Sequence, residues 1–213
     1  MSASPPPPRQ RLRVVFGKRG PLVYTGNLDT LRTWERVLRR ARLPLAYSHG
    51  FNPRPRLQLA DALPLGISSE AELIDVWLKE PVALDGLEAR LEAVAPAGLA
   101  VYSVAETALD GPALPTLVVA ADYVIAVEGV SAADLGARVR DFLARARVER
   151  TRRDKTYDLR PLVHALSVTP AGALRATLSL GEAGTARPDE LLDALGLSDA
   201  PAMVHRVRLH LRS

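Results

Sequence analysis

Apolar residues in the first half of the chain follow strand and helix periods in turn. Leu12, Val14 and Phe16 recur at every second position, which predicts a strand beginning near Arg11. Residues 28–41 have the helical period, with apolar residues on one face and arginines on the other. Further patterns predict a short strand at residues 57–61 and a longer strand at 71–80. A helix is predicted at residues 84–94 and another strand at 99–106.

The second half repeats this order of elements. Residues 117–129 predict a strand, and a capping box at Ser131–Asp134 opens a predicted helix over residues 131–146. We predict an extended region at residues 147–168 and a strand at 174–181. A short helix is predicted at residues 188–196 and a final strand at 203–213. Simple alternation in the final strand puts Met203 and His205 on the face opposite to Arg208 and His210.

The repeated order predicts an α+β fold with two ferredoxin-like (βαββαβ) halves in tandem, with antiparallel sheets and helices on one face of each sheet. The halves span residues 11–107 and 117–213, and residues 108–116, which include ALDGPALP, form the predicted linker. Residues 1–10 are proline-rich and have no apolar period to bury, so they predict a disordered lead.

Residues 42–56, RLPLAYSHGFNPRPR, contain three prolines, three arginines and no carboxylate. This composition suits neither a helix nor a central strand, so it predicts an ordered, basic loop. The side chains predicted to contact a ligand are Tyr47, His49, Phe51, Asn52, Arg54 and Arg56. In the alternative interpretation, Tyr47 and Phe51 only anchor the loop to the core.

A second basic and aromatic run lies between residues 150 and 160. Its predicted contact residues are Arg150, Arg152, Arg153, Lys155, Tyr157 and Arg160, to which the first helix adds Arg36, Arg39 and Arg40. Because guanidinium groups bind phosphates and aromatic rings stack on unpaired bases, the sequence favours single-stranded or looped RNA as the ligand. Alternatively, Asp154 and Asp158 pair with these arginines in a charged hairpin.

Charge is segregated along the chain. The formal net charge is +4, yet residues 61–134 hold thirteen acidic and two basic side chains, a net of −11, which leaves +15 elsewhere. A phosphate-rich partner is the expectation from clustered arginines of this kind. We therefore predict that the loop, the arginines of the first helix and the second basic run form one electropositive surface.

Catalytic signatures are sparse. The four histidines have no metal-binding spacing, and the chain contains no glycine-rich phosphate loop. His49 is the candidate for acid–base cleavage of RNA, although a structural turn histidine is the alternative and the sequence favours no activity of its own. Glu70 and Glu72 share one face of a predicted strand and are candidate ligands for a hard cation, with a solvated strand as the alternative. No cofactor is predicted.

Composition limits which metal groups the protein can bind and where in the cell we expect it. The 213 residues include no cysteine, which excludes disulfides, thiolate zinc sites and bound iron–sulfur clusters. No apolar run is long enough to span a membrane and the start does not have the pattern of a signal peptide, so a cytoplasmic protein that binds no membrane is expected.

Four stretches carry a family resemblance: residues 38–56, 59–78, 152–161 (RRDKTYDLRP) and 187–197 (RPDELLDALGL). They closely resemble the radical SAM-linked protein family, a bacterial domain of unassigned activity found alone or fused behind cobalamin-type radical SAM proteins. The resemblance implies a radical SAM partner that carries its own iron–sulfur cluster. One departure is that Gly26-Asn27-Leu28-Asp29 stands where the family usually reads Ser-His-Leu-Asp.

Three functions therefore remain as expectations. The first is a non-catalytic module that binds RNA, or a ribosomal component, for a radical SAM enzyme. The second is a metal-independent endoribonuclease with a tandem ferredoxin-like architecture. The third is a protein-binding scaffold whose basic surface contacts an acidic partner.

Overall fold

The computed structural model describes residues 7–182 and 184–212. The chain forms two compact units, with unit 1 ending at Leu117 and unit 2 beginning at Val118. The first six residues of the predicted disordered lead lie outside the described residues, whereas Gln10, its last residue, already belongs to a strand and is buried. No helix in the described part of the chain is long and apolar enough to cross a membrane.

Unit 1 has one strand–helix–strand pattern followed by another. Its elements are β1 (Gln10–Lys18), a 3-10 turn (Gly20–Tyr24), α1 (Asn27–Arg40), β2 (Leu57–Leu59), β3 (Ser68–Leu78), α2 (Leu87–Glu92), β4 (Leu99–Thr107) and α3 (Leu114–Leu117). β1 lies between β3 and β4, and β2 pairs with β3, all antiparallel. The strand order in unit 1 is therefore β4-β1-β3-β2.

The core of unit 1 follows the predicted alternation. Leu12, Val14 and Phe16 of β1 are buried, and Phe16 packs edge-on against Trp34 of α1 with ring centroids 5.0 Å apart. Leu87 and Leu91 of α2 join the same cluster. Burial of these side chains, at roughly 25 cal/mol per Å² of apolar surface, stabilises the sheet against both helices.

The other face of this sheet holds a buried ion cluster. Asp75 of β3 is fully buried and accepts hydrogen bonds from Arg11 at 2.6 Å and from Arg13 at 2.8 Å. Arg11 also donates to the backbone carbonyls of Gly111 and Pro112, both at 2.9 Å. Arg11 thus holds the predicted linker segment against β1, because the carbonyls of that segment accept hydrogen bonds from its guanidinium group.

Unit 2 repeats the order with an added hairpin. Its elements are β5 (Val118–Val127), α4 (Ala132–Ala144), β6 (Glu149–Arg152), β7 (Lys155–Asp158), a 3-10 turn (Arg160–Leu162), β8 (Val163–Val168), β9 (Leu174–Ser179), α5 (Pro188–Ala194) and β10 (Ala202–Leu211). β5 lies between β10 and β9, and β8 pairs with β9, all antiparallel. One half of the predicted capping box is present, since Ser131 Oγ accepts from Asp134 N at 3.1 Å. The predicted α+β class with mostly antiparallel sheets is confirmed.

Two predictions about unit 2 need correction. The extended region predicted over residues 147–168 is a separate β6–β7 hairpin followed by β8, because Arg153 and Asp154 turn the chain with positive φ angles of 46° and 64°. A bulge between Arg206 and Arg208 interrupts the predicted alternation of the final strand. Residues 208–210 therefore change faces, until a second shift in register between His210 and Leu211.

Candidate nucleic-acid interface

The basic loop of residues 46–56 is tied down at its base. Ala46 N donates to Trp77 O at 2.8 Å, Trp77 N donates to Arg56 O at 3.1 Å, and Arg56 N donates to Ala46 O at 2.8 Å. A second rung joins Ser48 and Arg54, through Ser48 N to Arg54 O at 2.8 Å and Arg54 N to Ser48 Oγ at 3.1 Å. These bonds make the loop a narrow projection on an ordered base.

The tip of the loop, residues 49–53, lies in solvent. Phe51 is 100% exposed, whereas Tyr47 is half-buried against the core of unit 1. The interpretation in which both rings anchor the loop therefore fits Tyr47 alone. An exposed phenylalanine forgoes roughly 1.5–3 kcal/mol of burial, so a ring in this position is available to stack on a ligand.

Arg54 and Arg56 have different surroundings. The Arg56 guanidinium lies 5.0 Å from the centroid of the Trp77 ring, and Arg11 lies 4.6 Å from the same ring. Arg54 instead lines a groove between the loop and α1, together with Leu28, Leu31, Arg32, Glu35 and Leu57. Arg54 and Arg32 are thereby brought to one groove, beside apolar walls that suit a flat ring.

The arginines of α1 are only partly free. Arg39 is paired with Glu35 at 2.7 Å and Arg32 with Asp29 at 3.3 Å, both on the exposed surface. Arg36 and Arg40 are exposed and have no ion-pair partner among the described residues. Arg32 was missed as a candidate, although its spacing of four residues from Leu28 places the two side chains on the same side of the helix.

Most cations of the second basic run stabilise unit 2 itself. Arg152 Nε donates to Glu190 of α5 at 2.7 Å, and its Nη2 donates to the Tyr157 hydroxyl at 3.1 Å. Arg150 pairs with Asp193 of α5 at 2.9 Å. The carboxylates that neutralise the hairpin arginines thus come from α5 and not from Asp154 or Asp158.

The same ion pairs shift the titration of their members. Burial raises the pKa of Tyr157 to about 12, with a further contribution from Glu190. Burial alone would raise the pKa of Glu190, but the hydrogen bonds from Arg152 and Tyr157 outweigh it and lower that pKa. The pKa of Arg152 is raised by its hydrogen bond to Glu190. This cluster therefore keeps its charges across the physiological range.

The remaining hairpin residues divide between structure and solvent. Arg153 and Lys155 are exposed at the hairpin turn, where they are available to a ligand. Asp158 accepts from Val148 N at 2.8 Å and Arg160 N at 3.0 Å, and these backbone bonds lower its pKa. The Arg160 guanidinium lies 5.7 Å from the Phe142 ring centroid.

The remaining candidates of unit 1 lie in two places, the loop tip and the start of β3. His49 and Asn52 are exposed at the loop tip. Glu70 is exposed and pairs with Arg19 at 3.3 Å, whereas Glu72, two residues on, is buried beside a small polar pocket. Lys18 and Asn27 line the same pocket. The described residues contain no cluster of three His, Asp or Glu side chains that fits a metal.

Comparison with known proteins gives a family. Residues 11–188 match the model of DUF2344, described as an uncharacterized protein conserved in bacteria. The chain belongs to this family. No curated protein matches the chain. Among solved structures, it is similar to an unknown protein from Galdieria sulphuraria, with 12% identity, coverage of 93% of this chain and 98% of that chain, and a TM-score of 0.27.

Proposed function

We propose that this DUF2344 protein binds single-stranded RNA through the loop of residues 46–56. The observation that carries the proposal is the fully exposed Phe51 at the tip of an ordered loop, which also supplies Arg54 to the groove against α1. Base–aromatic stacking contributes roughly 1–3 kcal/mol per base, and guanidinium groups supply phosphate contacts. The exposed Arg36 and Arg40 of α1 extend the basic surface of unit 1.

The test measures RNA affinity by fluorescence anisotropy with a labelled oligouridylate. Phe51→Ala is expected to weaken binding by about 1–3 kcal/mol, the stacking contribution. Tyr24→Ala is the matched control, since Tyr24 is a 75% exposed aromatic residue of unit 1 outside the loop. Equal affinities of the parent protein and Phe51→Ala, or no binding by the parent at low salt, would contradict the proposal and favour an acidic protein partner.

We further infer that the protein serves as a non-catalytic companion of a radical SAM enzyme in the cytoplasm. The resemblance of four long stretches supports this association, and the absence of cysteine requires that the enzyme bring its own cluster. Size-exclusion chromatography of the protein mixed with a radical SAM protein from the same host is expected to show co-elution. Separate elution at micromolar concentrations of both would count against it.

The finer fold assignment belongs to the same proposal: each unit is one ferredoxin-like half of a tandem. The strand order supports it, because both units place their fourth, first, third and second sheet strands side by side in that order. Ferredoxin-like sheets with helices between the strands are used by several RNA-binding modules. A crystal structure in which the helices of one unit pack on opposite faces of its sheet would contradict the assignment.

A further inference from the structure

The sheet of unit 2 has one face in the core and one toward solvent. Along β5, Tyr123 and Ile125 are buried, while Asp122, Val124 and Ala126 between and beside them are partly exposed. Residues directly opposite one another on antiparallel strands point to the same face of the sheet. The pairing registers therefore identify every residue that shares the solvent side with Asp122, and we call this side the outer face.

The bulge in β10 gathers polar residues on the outer face. Before the bulge, Met203 and His205 pair with Ala126 and Val124; after it, Arg208 and His210 pair with Asp122 and Ala120. All four therefore point to the outer face. On the other side of β5, the outer-face residues Arg175 and Thr177 of β9 pair with Val124 and Asp122. Without the extra residue, Arg208 and His210 would point into the core.

Asp122 is the one carboxylate at these paired positions, and two side chains lie against it. Thr177 Oγ1 donates to Asp122 Oδ1 at 2.7 Å, and His210 Nε2 lies 2.9 Å from the same oxygen. Burial alone would raise the pKa of Asp122, but these two groups and the charge of Arg208 lower it. Asp122 therefore stays ionised, and Arg175 and Arg208 leave these paired positions with a net positive charge.

Arg175 and Arg208 are the arginines at these positions, and the charge of Arg208 acts on Asp122 opposite it. Both are exposed, and neither has a hydrogen-bond or ion-pair partner in the described part of the chain. They stand two strands and two residues apart, which corresponds to roughly 12 Å between Cα atoms at ordinary strand spacing. Two guanidinium groups at that separation suit successive anionic groups of an extended chain better than one small anion.

We propose that the outer face of unit 2 is a second contact surface for single-stranded RNA, with Arg175 and Arg208 bound to its phosphates. The choice of RNA rests on the function proposed above; the surface itself is independent of the loop. The face lacks a leucine or aromatic anchor at the paired positions, where Met203 is the large exposed apolar residue, and protein interfaces depend on such anchors. Phosphate contacts need only the exposed cations.

The experiment compares RNA binding by the full-length parent protein and Arg175→Ala/Arg208→Ala, using the same labelled oligouridylate. We expect a loss of affinity on the order of tenfold, and a slope of log affinity against log salt that is smaller by roughly 0.7 for each phosphate that is no longer bound. Arg140→Ala/Arg147→Ala is the matched control, because both arginines are exposed and lie on α4 and the segment after it, off the paired strands. Thermal unfolding verifies that all variants are folded.

The outcomes separate this inference from the function on which it rests. Unchanged affinity and slope in Arg175→Ala/Arg208→Ala, alongside weakened binding by Phe51→Ala, would overturn the second surface and leave the loop proposal standing. Loss of binding in both variants supports the two surfaces together. If the parent binds polyglutamate but not oligouridylate, and the arginine pair is needed for that, the ligand is an acidic protein and the inference is wrong.

Discussion

Arg152 and Arg153 are neighbours in sequence with opposite surroundings. Arg152 is partly buried and is held by Glu190, Tyr157 and the carbonyl of Thr185, the last at 2.9 Å. Arg153, at the turn, is exposed. Breaking a paired, partly buried charge leaves its partner unsatisfied, whereas an exposed arginine can move to a ligand at little cost. Substitutions of Arg152 therefore report on stability, and those of Arg153 report on binding.

Glu190 gives a prediction about acid stability. Its pKa is lower in the folded chain than the ordinary 4.5, so between these two values the unfolded chain binds more protons and the free energy of unfolding falls as pH falls. Glu190→Gln removes this contribution. We expect the variant to be less stable than the parent at pH 7, and the difference to shrink as pH is lowered through 4.5 and below.

Urea unfolding at a series of pH values measures that difference. Glu128→Gln is the control, because Glu128 is exposed. The quantity to compare is the difference in the free energy of unfolding between each variant and the parent. Asp122 and Asp158 also have lowered pKa values, and they contribute to acid unfolding in every variant. A stability gap between the parent and Glu190→Gln that stays constant with pH would show that Glu190 has an ordinary pKa.

At the level of elements, periodicity predicted what lies in the core better than what lies at the edges. The alternation of Leu12, Val14 and Phe16 predicted the buried face of β1, and the helical period predicted α1. Nothing in the sequence indicates the β10 bulge, because Val207 continues the apolar alternation and the register is set by pairing with β5. Pairing between elements decides such features.

The candidate site, like the fold, was predictable from sequence where local composition decides the structure, and not where contacts between distant residues decide it. The basic loop follows from composition, since prolines and glycine exclude regular structure there. The partners of Arg150 and Arg152 were not predictable, because Asp193 and Glu190 are about 40 residues away along the chain and reach the hairpin only through folding. Local sequence offered Asp154 and Asp158 as partners instead.

The ion cluster between β1 and β3 predicts a contrast within one strand. Asp75→Ala would leave Arg11 buried without its carboxylate, and we expect a loss of about 3–5 kcal/mol in the free energy of unfolding. Glu70→Ala, also on β3, breaks an exposed pair with Arg19 and is expected to cost at most about 1 kcal/mol. Urea denaturation of both variants makes the comparison. Similar losses would mean that the buried pair contributes no more than a surface one.

For the molecule as a whole, the segregation of charge by sequence gives the final prediction. Residues 61–134 carry a net charge of −11 and the remainder +15, with exposed cations in the loop and α1 of unit 1 and in the hairpin turn of unit 2. Arg36→Ala/Arg54→Ala tests the first set, and Arg153→Ala/Lys155→Ala tests the second without disturbing Arg152. Lys79→Ala/Arg90→Ala, the two basic residues within the acidic region, is the control of equal charge.

If both sets bind one RNA strand, removing each phosphate-binding cation should reduce the slope of log affinity against log salt by roughly 0.7, and the reductions should add in the quadruple variant. The control should retain the slope of the parent, because its cations lie among carboxylates. A salt titration of oligouridylate binding for all four variants decides the matter. A reduced slope in the loop variant with an unchanged slope in the hairpin variant would confine RNA binding to the cations of unit 1, since only phosphates that are bound by the protein release counterions.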